Sequence, residues 1–73
     1  MLGKQIKHYR QQNKWSQAEL AEYLHISASA IGMYEQNRRI PCLQLIIAMA
    51  KLFQITIDEF IATVPPIAQT NRP

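Results

Sequence analysis

Residues 16–37, SQAELAEYLHISASAIGMYEQN, decide how this chain folds. The stretch opens on Ser16-Gln17-Ala18-Glu19, a capping-box pattern. In such a box the serine hydroxyl takes the backbone amide three residues on, while the glutamate reaches back to the serine amide. Trp15 before the cap and Leu20 after it are spaced to form the accompanying hydrophobic staple. The spacing of Leu20, Ala21 and Leu24 predicts a short helix ending near Leu24. His25 and Ile26 make a brief break, and Ser27 is a second N-cap. A further helix over about 28–36 then buries Ile31 and Tyr34 and stops at Asn37. Gly32 in its middle costs ~1 kcal/mol relative to alanine, so packing has to hold this helix.

Toward the N-terminus, Leu2, Ile6 and Tyr9 recur at helical spacing, which predicts an amphipathic helix from residue 2 to about 12. Asn13 is the expected left-handed residue just past its end. Toward the C-terminus, Pro41 opens a helix running through about Phe53, with Leu43, Ile46, Ile47, Met49 and Ala50 apolar. Thr56-Ile57-Asp58-Glu59 is another capping box and starts a fifth helix through about Ala62. Pro65 and Pro66 end it. The expectation is an all-α fold of five short helices in one domain over residues 1–64, followed by a polar, proline-containing tail or linker over residues 65–73.

Composition agrees with a single small globular unit. The 73 residues are 48% hydrophobic and 18% charged, too apolar for disorder and too few for more than a thin core. No apolar run approaches the ~18 residues that span a bilayer. The start of the chain does not resemble a signal peptide. The one cysteine, Cys42, cannot form an internal disulfide, which suits a reducing cytoplasm. Net charge is +3, and its placement is informative. Lys4, Lys7, Arg10, Lys14, Arg38 and Arg39 outnumber Glu19, Glu22 and Glu35 in the first half, while Lys51 and Arg72 cancel Asp58 and Glu59 beyond it. A positive excess confined to one half is expected of a surface that faces phosphates.

Gly3 to Phe60 resembles the phage-repressor, or Cro/CI-like, helix-turn-helix family. The carriers are Ile6, Arg10, Ser16 through Ala21, Ile26-Ser27, Ile31, Tyr34-Glu35, Arg38-Arg39, Pro41 and Ile55 through Glu59, in this order and at these spacings. The resemblance implies a compact five-helix, phage-repressor-like DNA-binding domain. Its third helix would enter the major groove while the second crosses the backbone. It implies a structural ion pair between Arg10 and Glu35, and phosphate contacts from Gln17, Arg38 and Arg39; Ser16 at the cap and the nearby cation Lys14 are further candidate phosphate contacts. It assigns base contacts to Ala28, Ser29, Gly32 and Met33.

Here the sequence departs from the family's usual pattern. Glutamine, asparagine, arginine and lysine read base edges in pairs of hydrogen bonds, and none occurs from Ser27 to Tyr34. Ser29 offers one promiscuous bond, and Ala28 and Met33 suit thymine methyls. The expectation is therefore weak direct readout, supplemented by DNA shape and dimer spacing. His25 also departs, standing where many members carry glycine; histidine is among the residues that tolerate positive φ.

The fourth helix carries an extra apolar stripe at Leu45, Ala48 and Leu52. Together with Phe60, Ile61 and Val64, it predicts a homodimer interface, and dimers are what this class needs to read two half-sites. No enzyme is expected: Cys42, His8 and His25 form no recognisable catalytic pattern. No cofactor or metal is expected, because two histidines and one cysteine share no ligand spacing. The implied partners are double-stranded DNA, a second copy of the chain and, as an option, a regulatory protein; no membrane partner is expected. The implied role is transcriptional regulation, as a repressor, in a bacterial or phage-encoded cytoplasmic protein. The rival expectation is a protein-interaction module that retains the fold.

Overall fold

The first helix, α1, runs Leu2–Gln12 and is followed by α2 (Gln17–Leu24), α3 (Ala28–Glu35), α4 (Leu43–Phe53) and α5 (Ile57–Ile61). The computed structural model describes residues 2–62, so Val64 and the expected tail over residues 65–73 lie outside the described residues. Three of the helices, α2, α3 and α5, start at the caps read from the sequence. Ser16 Oγ accepts from the Glu19 N–H at 3.0 Å, and the Ser16 N–H donates to Glu19 Oε1 at 2.8 Å. Thr56 and Glu59 repeat the exchange at 3.0 and 3.1 Å. Ser27 Oγ accepts from the Ala30 N–H at 3.1 Å to open α3. Each such cap contributes about 0.5–2 kcal/mol relative to alanine. Cys42 stands at the N-cap of α4 but makes no side-chain cap bond.

The helix ends are less ordinary. Four residues have positive φ among the described residues, and all are non-glycine: Lys14, His25, Asn37 and Gln54, each within a degree of 60°. Each follows a helix and closes it with a Schellman pair of hydrogen bonds. After α2, the Ile26 N–H returns to Ala21 O at 3.0 Å and the His25 N–H to Glu22 O at 3.2 Å. After α4, the Ile55 N–H returns to Ala50 O at 3.0 Å and the Gln54 N–H to Lys51 O at 3.1 Å. His25 therefore takes the conformation expected of it. Asn13 does not: Lys14 is the left-handed residue, and the Asn13 amide instead donates to Tyr9 O at 2.8 Å. Tyr9 O also accepts from the Asn13 N–H at 3.2 Å, so Asn13 still belongs to the last helical turn and the left-handed step falls one position later.

Ile6, Leu20, Ile31, Met49 and Phe60 are fully buried and draw one side chain or more from every helix. Around them lies an aromatic group. Phe53 stacks on Tyr9 at 5.6 Å between centroids and meets Phe60 edge-on at 5.7 Å. Trp15 lies 6.1 Å from Phe53 and 4.9 Å from Tyr23, so the residue preceding the α2 cap joins the core from outside. Such pairs add about 0.5–1.5 kcal/mol each beyond the area they bury.

This packing corrects the expected dimer face. Phe60 is completely buried against Tyr9 and Phe53, so it has no surface to offer a second subunit. Leu45 and Leu52 are half-buried and pack on the same core, which accounts for part of their apolar character. Ile61 remains 46% exposed. The largest uncovered apolar side chains, Ile40 and Leu43, were not in the predicted set.

Candidate nucleic-acid interface

The capping box fixes the start of α2, and α2 packs on α3 more extensively than any other pair of helices. The cap satisfies the amide of Glu19, which leaves the earlier amides of the first turn directed outward, where the positive end of the helix favours an anion. Ser16 keeps its hydroxyl hydrogen, since its oxygen serves only as acceptor in the box.

A buried ionic group ties α3 to α1 and to the turn before α2. Arg10 Nε donates to Glu35 Oε2 at 2.6 Å, and Nη2 donates to Glu35 Oε1 at 3.3 Å. Arg10 Nη1 donates to Trp15 O at 2.8 Å. The two side chains are 11% and 5% exposed, so this is an interior pair. The ion pair implied by the resemblance is therefore present in the structure, with the added function of anchoring the turn before α2.

Gln17 joins the same group. Its Nε2 donates to Glu35 Oε1 at 3.0 Å, and its amide lies over Gly32, within 3.8–3.9 Å of where a side chain there would begin. One hydrogen of Nε2 is thus committed to Glu35, and the other remains for an external acceptor. Gln17 is half-buried, whereas Ser16 and Lys14 are exposed.

Ala28, Ser29, Gly32 and Met33 line one shallow, open cleft together with Gln17, Gln36 and Arg38. The structure thus brings the four expected base-contact residues beside two of the five expected phosphate contacts. Lys14, Ser16 and Arg39 lie outside that lining. Arg38 and Arg39 are both exposed just past α3, their N–H groups returning to Met33 O at 2.9 and 3.4 Å. The Arg39 guanidinium also lies 5.9 Å from the centre of the Tyr34 ring, a cation–π distance.

Gln36 lies just outside the Ser27–Tyr34 stretch that lacks polar readers and is a further candidate base contact. Its position continues the outward stripe, three residues beyond Met33 and four beyond Gly32, and helical periodicity alone would have flagged it. It brings an exposed carboxamide, the group that pairs with adenine edges, to a face otherwise built of small and apolar side chains. Among the described residues there is no cluster of acidic, histidine and cysteine side chains able to hold a metal. No described helix is long and apolar enough to cross a membrane.

Comparison with known proteins agrees with this geometry. A model of the helix-turn-helix family matches residues 6–60. The HTH-type transcriptional activator BcrR of Enterococcus faecalis is 29% identical over 61 residues. That match covers 84% of this chain and 30% of BcrR, so the chain spans under a third of that relative's length. Among solved structures, the P22 c2 repressor in complex with a synthetic operator superposes with a TM-score of 0.79 at 25% identity, over 88% of this chain and 97% of that one. SinR, a master regulator for biofilm formation, in complex with DNA gives 0.77 at 25% identity, over 85% and 100% respectively.

Proposed function

The chain belongs to the helix-turn-helix family, and from that membership we propose that it binds double-stranded DNA and regulates transcription, as a repressor, with α3 in the major groove. The observation that carries this reading is the single cleft shared by Gln17, the outward face of α3, and Arg38. A phosphate clamp formed by Ser16, Gln17 and Lys14 on one side and Arg38 and Arg39 on the other positions the helix. Ala28, Ser29, Gly32 and Met33 then meet base edges, mainly thymine methyls, while Gln36 supplies a carboxamide at the far end. P22 c2 repressor and SinR, both with DNA in their structures, support this placement by likeness of fold.

Two copies act together in this reading. Ile61, together with the uncovered parts of Leu45 and Leu52, provides the apolar contact, and two α3 helices then address half-sites about one helical turn apart. The protein works where bacterial or phage DNA is found, in the cytoplasm, without catalysis.

Selection of bound sequences from a random duplex library at two salt concentrations tests the proposal. The expected result is enrichment of a loose, A·T-leaning consensus in two half-sites. A sharp G-rich consensus at the central positions would refute weak readout through thymine methyls. No enrichment and no salt-sensitive duplex binding would favour the protein-interaction module instead.

A further inference from the structure

Gly3, in the first turn of α1, is buried, and its N–H donates to Asn37 Oδ1 at 3.1 Å. A methyl group added to Gly3 would lie 2.6 Å from Glu35 O and 2.7 Å from Asn37 Oδ1, and would overlap Tyr34 O as well. The start of α1 is therefore seated directly on the end of α3. The one helix-start amide recorded in this seat, that of Gly3, is satisfied by the Asn37 side chain.

Asn37 is the pivot of that seat. Its backbone is left-handed, with φ 60°, and its N–H bonds Tyr34 O at 3.1 Å. The next two residues are Arg38 and Arg39, whose N–H groups turn back to Met33 O. The backbone of Asn37 thus sets the direction in which both arginines leave α3, and its side chain fixes that backbone to α1. Glycine would satisfy the left-handed turn with less strain, but it would lack the acceptor. An unfastened turn would have to be ordered when the arginines meet phosphate, and ordering side chains and loops on binding weakens affinity.

We propose that Asn37, through its bond to the Gly3 N–H, is a positioning residue for the Arg38–Arg39 phosphate clamp. The proposal rests on the reading that these arginines contact DNA. The test is Asn37→Gly in the full chain, which admits the left-handed backbone and removes the Oδ1 acceptor, the added backbone freedom of glycine being read from the melting curves. Binding to a fluorescein-labelled duplex of arbitrary sequence at low salt is measured for Asn37→Gly, for Arg38→Ala with Arg39→Ala, and for all three changes together, with melting curves for each. The expected result is a loss of about fivefold for Asn37→Gly in the native background, and no further loss where both arginines are already alanine. A residue of purely structural value would give the same loss in both backgrounds, and that result overturns the proposal, as does unchanged binding by Asn37→Gly. If the arginine changes alone leave binding unaltered, the clamp reading itself is wrong, and the proposal falls with it by a separate signature.

Discussion

Gln17 Nε2 donates to Glu35 Oε1 at 3.0 Å, tying the first residue of α2 to the last residue of α3. The same oxygen accepts from Arg10 Nη2 at 3.3 Å, so one buried carboxylate links α3 to both α1 and α2. Stability and the placement of Gln17, the proposed phosphate contact, thereby depend on one group.

Glu35→Ala removes the carboxylate and leaves the Arg10 guanidinium buried without its counter-charge. Urea denaturation should show a loss of about 3–5 kcal/mol, the usual cost of breaking one side of an interior pair. In a domain whose whole stability is of order 5–15 kcal/mol, that change would remove a large share of it and, at the low end of the range, leave the fold marginal at room temperature. A loss below about 1 kcal/mol would place the pair with surface salt bridges, which contribute little.

The two glycines should respond in opposite directions to alanine. A methyl group on Gly32 finds only the Gln17 amide, at 3.8–3.9 Å, an ordinary contact. Gly32→Ala should therefore raise stability by up to ~1 kcal/mol through helix propensity, while weakening duplex binding by thickening the recognition face. Gly3→Ala meets three oxygens at the α1–α3 seat and should lower stability by about 1–3 kcal/mol, as overpacked sites do. Melting curves of the two variants check both signs.

The left-handed helix ends offer stabilising changes. A non-glycine residue held at positive φ carries a strain of roughly 1 kcal/mol, part of which is offset because glycine also gains freedom in the unfolded chain. His25→Gly and Gln54→Gly should each raise the urea midpoint, by a net of about 0.5 kcal/mol or more in stability. A fall in midpoint would mean that the side chains of His25 or Gln54 make interactions stronger than the strain they impose.

Helix starts were legible in the sequence because their chemistry is local: Ser16 with Glu19 and Thr56 with Glu59 each span one turn. Helix ends were harder, because Lys14 and Gln54 have no side-chain feature that marks a left-handed residue, and neither of the chain's glycines marks one either. The Arg10–Glu35 pair came only from the family resemblance, since nothing local joins residues 25 positions apart. Gln17's bond to Glu35 and the Gly3–Asn37 seat depend on how helices cross, which no spacing encodes. Sequence alone cannot separate Phe60 at a dimer face from Phe60 in the core, because an apolar residue on a short terminal helix reads the same in either place. Gln36 was within reach of periodicity and was missed only because the stripe was followed one turn too few.

Assembly is a separate matter from folding. Ile61, 46% exposed, is the residue of the proposed dimer face with the most surface to contribute. Sedimentation at micromolar concentration should show a dimer for the native chain, alone or on duplex DNA, and a monomer with an unchanged melting curve for Ile61→Asp. A native chain that stays monomeric with and without DNA would rule out this mode of half-site reading.

The central claim, that the cleft between α2 and α3 with its flanking cations binds duplex DNA, is tested most directly by the salt dependence of binding. With Lys14, Arg38 and Arg39 as the cationic contacts, log affinity should fall against log salt with a slope of about −3 per bound protomer, and Arg38→Ala should reduce that slope by about one. A slope near zero, or one that Arg38→Ala leaves unchanged, would contradict the account.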